Sequence, residues 1–319
     1  MNEIYENSAV FHDDDFAGNI MDAGVFDGKR YFLPMEYRLP MLISTREILE
    51  EAGFHSDNCT DFDSFMKESN RYLNSANYDR RLFRMDITAI NCIFWAGYSI
   101  VENGEVVWDI EETRDYFEWN KAVYEGGTGE YMFGDLLGAE AVRDGACLFE
   151  GSGFLDTDLN AMRALYTIGN PVALPIYNKE GGITALINRA VAVRANSQNM
   201  DNVRMFLEIL FDKKIMEQPG ALRNDLSVRK SMMEDTYDSY LVECPFKVAV
   251  NGFPFELPIL KREDYDAYLA YADQVNQTVY WPEWRQDFKA EMNRYLRGEI
   301  SYEEAAKAAK EKLEFYLSE

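Results

Sequence analysis

The feature that most constrains this chain is the alternation of short extended runs with helix-period apolar stripes, sustained almost from end to end. Gly28-Lys29-Arg30-Tyr31-Phe32-Leu33-Pro34 is a turn leading into an extended run. Ser44 and Glu47 stand at capping-box spacing ahead of Ile48, Leu49 and Ala52 on one helix face, and Gly53 closes that helix. Thr60 opens a second helix, with Phe62, Phe65 and Met66 in phase, and Tyr116, Phe117, Asn120, Val123 and Tyr124 mark a third. Ala190-Val191-Ala192-Val193 is a strand-forming run, and the stripe Met200, Val203, Phe206, Leu207 and Leu210 follows it. The carboxyl end is helical. Glu283 to Leu296 carries Trp284, Phe288, Met292 and Tyr295 on one side and stops at Gly298; Ser301 and Glu304 then cap an alanine-rich helix. The pattern predicts the α/β class, without internal repeats or a low-complexity linker.

At 319 residues the chain suits two lobes better than one domain, and 47% hydrophobic content supplies a sizeable core. No apolar window reaches the length needed to span a bilayer. The 32 Lys and Arg against 56 Asp and Glu leave a net charge of −24, spread along the chain. That sign repels nucleic acid and anionic membrane surfaces, and favours a neutral or cationic ligand. Cys59, Cys92, Cys147 and Cys244 are far apart, and neither His12 nor His55 stands at metal spacing from any of them, so no metal or cofactor is expected. Cys92 and Cys147 sit in apolar strings and read as core thiols. Asp13-Asp14-Asp15 lacks the Gly and terminal Glu of a calcium loop and reads as a solvated charge run.

Several segments, in this order, resemble the extracellular solute-binding proteins of family 1, which serve carbohydrate ABC importers. Phe26-Asp27-Gly28-Lys29-Arg30-Tyr31-Phe32-Leu33-Pro34 is similar to the family's "dGK-Y-lP" stretch, and Ser44 to Phe54 to its "yNkdlfeeaGl" helix, with Ile43-Ser44 in place of Tyr-Asn. Val142 to Phe149 resembles the "f..GkaAm" element, Arg189 to Phe211 the "aIsk.sknkeaAweFlkfl" strand and helix, and Leu226 to Lys230 the "lPvrk" string. Leu296-Arg297-Gly298-Glu299-Ile300-Ser301 with Glu304-Ala305 resembles the closing "l.G..s.eeAl" signature.

The resemblance implies a two-lobed, type II periplasmic-binding-protein-like fold with lobe one incomplete and a helical carboxyl end. Residues 1–39 and 189–236 would form lobe one and residues 40–188 lobe two, with 237–319 mainly on lobe two. It implies a monomer that captures a mono- or oligosaccharide outside the cytoplasm and delivers it to ABC permease subunits without catalysis. Met1 to Asn7 has no basic or apolar leader region. Either the protein is cytoplasmic or the chain begins downstream of its true start; the resemblance implies the second, with membrane attachment only through a lipid anchor outside it. A carbohydrate-active hydrolase is the rival from another class, since among 56 acidic residues a carboxylate pair can always be nominated. No nucleophile elbow, HExxH or P-loop is present. A non-transport surface binding module is the third reading.

Sugars are gripped by aromatic rings on their C–H faces and by carboxylates, amides and Arg on their hydroxyls. In Trp281-Pro282-Glu283-Trp284-Arg285, Pro282 suits a first helical turn. Trp281 would then sit at the helix mouth with Arg285 within reach; the resemblance implies that an aromatic there lines the cleft, and Trp284 is expected in the core. Gly151, Ser152, Gly153 and Phe154 form either a ligand-approaching loop or an ordinary turn. Asp86 and Thr88 are polar candidates at the opening of lobe two. Trp95 and Tyr98 are either a stacking platform or core beside Ile93 and Phe94. Glu36 and Tyr37, near the presumed hinge, either offer polar groups to the cleft or form a solvated crossover.

Overall fold

The computed structural model describes residues 1–76, 79–83, 92–126, 142, 145–150, 159–194, 196–216, 225–238, 241 and 257–318. Strands β1 (Val25–Phe26) and β2 (Lys29–Arg30) form a hairpin whose turn residues Asp27 and Gly28 both have positive φ, 49° and 72°. That is the twist a two-residue hairpin requires, and glycine adopts it without steric cost. β3 (Phe32–Arg38) and β4 (Met41–Thr45) follow with only Leu39-Pro40 between them, then β5 (Arg81–Phe83). A second tight hairpin joins β6 (Val101–Glu102) to β7 (Glu105–Val106) through Asn103-Gly104, again at positive φ. The remaining strands are β8 (Cys147–Phe149), β9 (Pro171–Pro175), β10 (Ile183–Ala192), β11 (Leu226–Ser227) and β12 (Val275–Tyr280).

The largest sheet has four strands in the order β11-β3-β10-β12, with β10 antiparallel to β3 and parallel to β12. β4 pairs with β9 and β5 with β8. An isolated bridge from Ile43 to Glu150 and a bond from the Ser44 hydroxyl to the Leu148 carbonyl (2.7 Å) tie these two pairs together. The helices Phe62–Leu73 and Arg114–Gly126 pack on each other, and Arg285–Leu296 and Tyr302–Ser318 pack together and against Arg114–Gly126 and β7 respectively. Phe62, Phe65, Tyr116 and Trp119 form an aromatic core there, with ring centroids 5.6–6.0 Å apart. Cys92 and Cys147 are buried in the core. No helix among the described residues is long and apolar enough to cross a membrane.

Four local expectations are corrected. Ser44 lies in β4, and the cap of the Arg46–Ala52 helix is Thr45, whose hydroxyl accepts from the Ile48 amide (3.2 Å). Glu47 takes the Asn170 backbone and side-chain N–H groups from its place in the first turn. Asp61, not Thr60, caps Phe62–Leu73, in a reciprocal box with Ser64. The Asp13–Asp15 run is only partly solvated: Asp13 and Asp14 are exposed, yet Asp13 and Asp15 both hold the buried Arg229 guanidinium, at 3.1 and 3.0 Å, and Asp15 also takes the Ser231 amide and hydroxyl. A buried guanidinium must be paired, and here the pairing joins the start of the chain to the segment after β11. On the Met200–Leu210 helix only Leu207 is buried, while Met205, Phe206 and Ile209 are exposed.

Candidate binding cleft

A cleft of about 1280 Å³ opens along β10 and β12. One wall is the β1–β2 hairpin region, where Phe26 packs on both Tyr31 and Phe32, and Phe32 meets Tyr280 edge-on, 6.3 Å between centroids. A second part of the wall is the Gly97–Gly104 stretch with Phe94, Pro282 and Trp284. Thr184, Asn188, Gln277 and Thr278 form the floor from the two strands. The charged groups in this described lining are three carboxylates, Asp22, Asp27 and Glu102. Among the described residues no group of three or more His, Cys, Asp or Glu could hold a metal ion.

The sequence-predicted residues distribute unevenly over this geometry. Tyr98 lines the cleft, its ring 5.8 Å from Tyr116 and beneath the Lys179 ammonium at 5.1 Å. Burial, with Asp63, Glu112 and Asp115 nearby, pushes its hydroxyl up to about 12, so it stays a neutral donor and acceptor at physiological pH. Trp95 is fully buried behind it, edge-on to Trp281 at 5.5 Å. Trp281 is not among the cleft-lining residues. The Arg285 guanidinium covers one face of its indole, 3.9 Å from the ring centre, and Phe94 meets it edge-on. Burial lowers the affinity of Arg285 for its proton, and its Nε has no hydrogen-bond partner among the described residues. Trp284 is both core and wall: it is 9% exposed, packs on Phe94 and Phe288, and lines the cleft.

Glu36 and Tyr37 are buried in β3 behind the cleft floor, so the segment is not a solvated crossover. Glu36 lies 2.9 Å from the Arg189 guanidinium, yet burial outweighs that half-exposed cation. Its carboxyl is pushed up to about 7, with neighbouring Asp225 adding to the rise. Asp225 in turn is held by Arg38 and by the Asn188 amide (2.5 Å), and Asn188 reaches the cleft. Asp86, Thr88, Gly151, Ser152, Gly153 and Phe154 lie outside the described residues. Sequence reading passed over Thr184, Asn188, Gln277 and Tyr280. Its one available signal was the polar run Asn276-Gln277-Thr278 inside a strand-length segment just ahead of Trp281.

No protein-family model matches the chain, and no curated protein matches it. Solved structures do. The sugar-binding protein MalE from Xanthomonas citri superposes with a TM-score of 0.63 at 15% identity, over 100% of this chain and 78% of that one. An extracellular solute-binding protein of family 1 from Alicyclobacillus acidocaldarius gives 0.63 at 9% identity, covering 99% and 79%. The GacH receptor of Streptomyces glaucescens, solved unliganded and with acarbose, gives 0.56 at 15% identity, covering 99% and 78%. At such identities a match over almost the whole chain reports the path of the backbone. The chain has the two-lobed fold of the type II periplasmic binding proteins.

Proposed function

We propose that this chain captures a neutral mono- or oligosaccharide in the cleft, outside the cytoplasm, and hands it to the permease subunits of an ABC importer without chemical change. The observation that carries this reading is the cleft lining. Aromatic rings (Tyr31, Tyr98, Tyr280, Trp284) stand around a floor of amides and hydroxyls in a volume of about 1280 Å³. That combination suits a ligand with apolar C–H faces and many hydroxyls. Carboxylates accept hydroxyl protons well and repel anionic sugars, in keeping with the −24 net charge. Support for the ligand class comes from neighbours of the same fold, a sugar-binding protein and a receptor solved with acarbose. In this reading Leu39-Pro40 and the Ile176–Gly182 stretch are two adjacent crossings between lobes, joined where the Ile176 amide meets the Pro40 carbonyl (2.8 Å).

The test is a thermal-shift screen against mono- and oligosaccharides, with released reducing ends measured on the same samples. A ligand present at about a hundred times its Kd stabilises the folded state by about 2.7 kcal/mol, so a binder is visible as a higher melting temperature. Stabilisation by a neutral sugar that is recovered intact is the expected result. Release of reducing ends would turn the reading toward hydrolysis, and a screen in which no sugar shifts the melt would sink it.

A further inference from the structure

The cleft floor contains a polar chain whose proton directions are fixed from one end to the other. It starts at Asn178, which is buried. The Asn178 Oδ1 accepts the backbone N–H groups of Glu180 (3.0 Å) and Gly182 (3.2 Å), so its Nδ2 must be the donor side. That Nδ2 donates to the Asn276 Oδ1 (2.7 Å) and to the Thr184 Oγ1 (3.1 Å). Having accepted there, the buried Thr184 hydroxyl has its single proton left for the Gln277 Oε1, 3.3 Å away. A hydroxyl oxygen can accept twice, but the Thr184 proton has no other acceptor among the described residues, so the Gln277 amide is oriented with Oε1 toward Thr184 and Nε2 on the other side. The absence of a side chain at Gly97 leaves room for the same carbonyl: a Cβ there would lie 2.8 Å from Oε1, and its backbone is at φ +82°. Gln277, Thr184 and Gly97 all line the cleft, and Nε2 of the half-buried Gln277 has no acceptor among the described residues.

We infer that Gln277 is a ligand-binding residue, presenting a fixed pair of N–H donors from the cleft floor to a hydroxyl, ring or glycosidic oxygen of an uncharged sugar. Asn178 and Thr184 are positioning residues that set which edge of the amide faces the ligand. The inference rests on the sugar-capture reading above. An amide pinned by a one-way chain loses little freedom on binding, and a ligand lacking an acceptor at that point leaves a desolvated donor unpaired. Gln277 complements the wall carboxylates Asp22, Asp27 and Glu102, which only accept.

The experiment uses the full chain and four variants: Gln277→Glu, Gln277→Ala, Thr184→Val and Thr184→Ser. Each is titrated calorimetrically with maltotriose, cellotriose, mannotriose, trigalacturonate and chitosan trisaccharide, and melted without ligand. Gln277→Glu is close to isosteric but turns donors into a charged acceptor. It is expected to lower affinity for the neutral binder by about tenfold or more, with the ligand-free melting temperature unchanged. Gln277→Ala is expected to weaken the same sugar. Thr184→Val, which breaks the chain, is expected to weaken it too, and Thr184→Ser to restore it. Wild-type affinity in both Gln277 variants would overturn the inference while leaving sugar capture intact, as would equal loss in Thr184→Val and Thr184→Ser. If none of the five sugars binds the wild type, sugar capture fails for this class of ligand and the role of Gln277 falls with it.

Discussion

Trp281 and Trp284 are three residues apart on one turn, and their surroundings differ in kind. Trp284 presents one surface to Phe94 and Phe288 and another to the cleft. Truncating it to Ala should cost about 3–5 kcal/mol of stability and weaken sugar binding together. Trp281 sits behind the wall, one indole face beneath Arg285, with Phe94 and Trp95 edge-on. Removing it forfeits edge contacts and a cation–π contact of about 0.5–1.5 kcal/mol each and should leave affinity within about twofold. Melting curves and calorimetric titration of both variants decide the matter. Weakened binding with an unchanged melt in Trp281→Ala would mean that the other indole face takes the sugar. Sequence and resemblance point to Trp281 at the cleft and Trp284 in the core, whereas Trp284 is both core and wall and Trp281 does not line the cleft. Periodicity could not say which faces solvent, because Pro282 and Glu283 form a turn and the helix begins only at Arg285. Glu36 carries a pH prediction. Its carboxyl rises from 4.5 unfolded to about 7 folded, chiefly through burial. The stability it contributes is fully present below about pH 4.5, declines from there, and is gone once the pH has risen through about 7. The melting temperature of wild type relative to Glu36→Gln should fall across that window, by an equivalent of roughly 1–3 kcal/mol. A constant difference between the two proteins would show that Glu36 ionises in the fold as it does unfolded.

Elements were legible from the sequence where local chemistry dominates. Ser301 and Glu304 cap the last helix reciprocally, at 2.9 and 3.2 Å, and Gly53 and Gly298 end their helices at φ 63° and 70°. Prediction failed where a tertiary partner outbid the local one. Ser44 spends its hydroxyl on Leu148, Glu47 on Asn170, and Asp13 and Asp15 on Arg229, three partners far along the chain. The cleft floor was missed for the same reason. β12 reads as an ordinary polar strand until β10 is laid beside it in parallel, which no local pattern announces. The Met200–Leu210 helix is the element whose surface departs furthest from its sequence stripe. Leu207 is buried, whereas Met205, Phe206 and Ile209 are 59%, 60% and 52% exposed. Side chains that touch little in the fold contribute little to its stability. The triple variant Met205→Lys, Phe206→Glu, Ile209→Lys should therefore melt within about 1 kcal/mol of wild type while binding less of an apolar dye. A melt lowered by several kcal/mol would show that these side chains are buried in solution.

At the scale of the whole molecule, the question is whether the cleft is rigid or closes. The chain crosses from β3 into β4 through Leu39-Pro40 and returns from β9 to β10 through Ile176–Gly182, side by side. It leaves β12 again through Tyr280–Trp284, the turn that carries part of the cleft wall. Short crossings with few residues to absorb a change of φ and ψ are what a hinge between two packed bodies requires. In the proposed two-lobe reading, the two cleft walls belong to opposite sides of those crossings. The hairpin with Tyr31 and Phe32 is continuous with β3, and the Gly97–Gly104 wall follows the buried Cys92–Trp95 turn. A sugar that touches both walls binds a closed arrangement better than an open one, and only that difference in affinity can shift the equilibrium. Small-angle scattering of the chain with and without its best sugar should then show a radius of gyration near 20 Å that falls on saturation. Gln277→Glu, which is expected to weaken binding from the floor, should reach the same smaller radius at a higher sugar concentration. A radius unchanged at saturation in wild type would mean that the cleft is already closed around its volume, and that affinity is set by the walls as they stand.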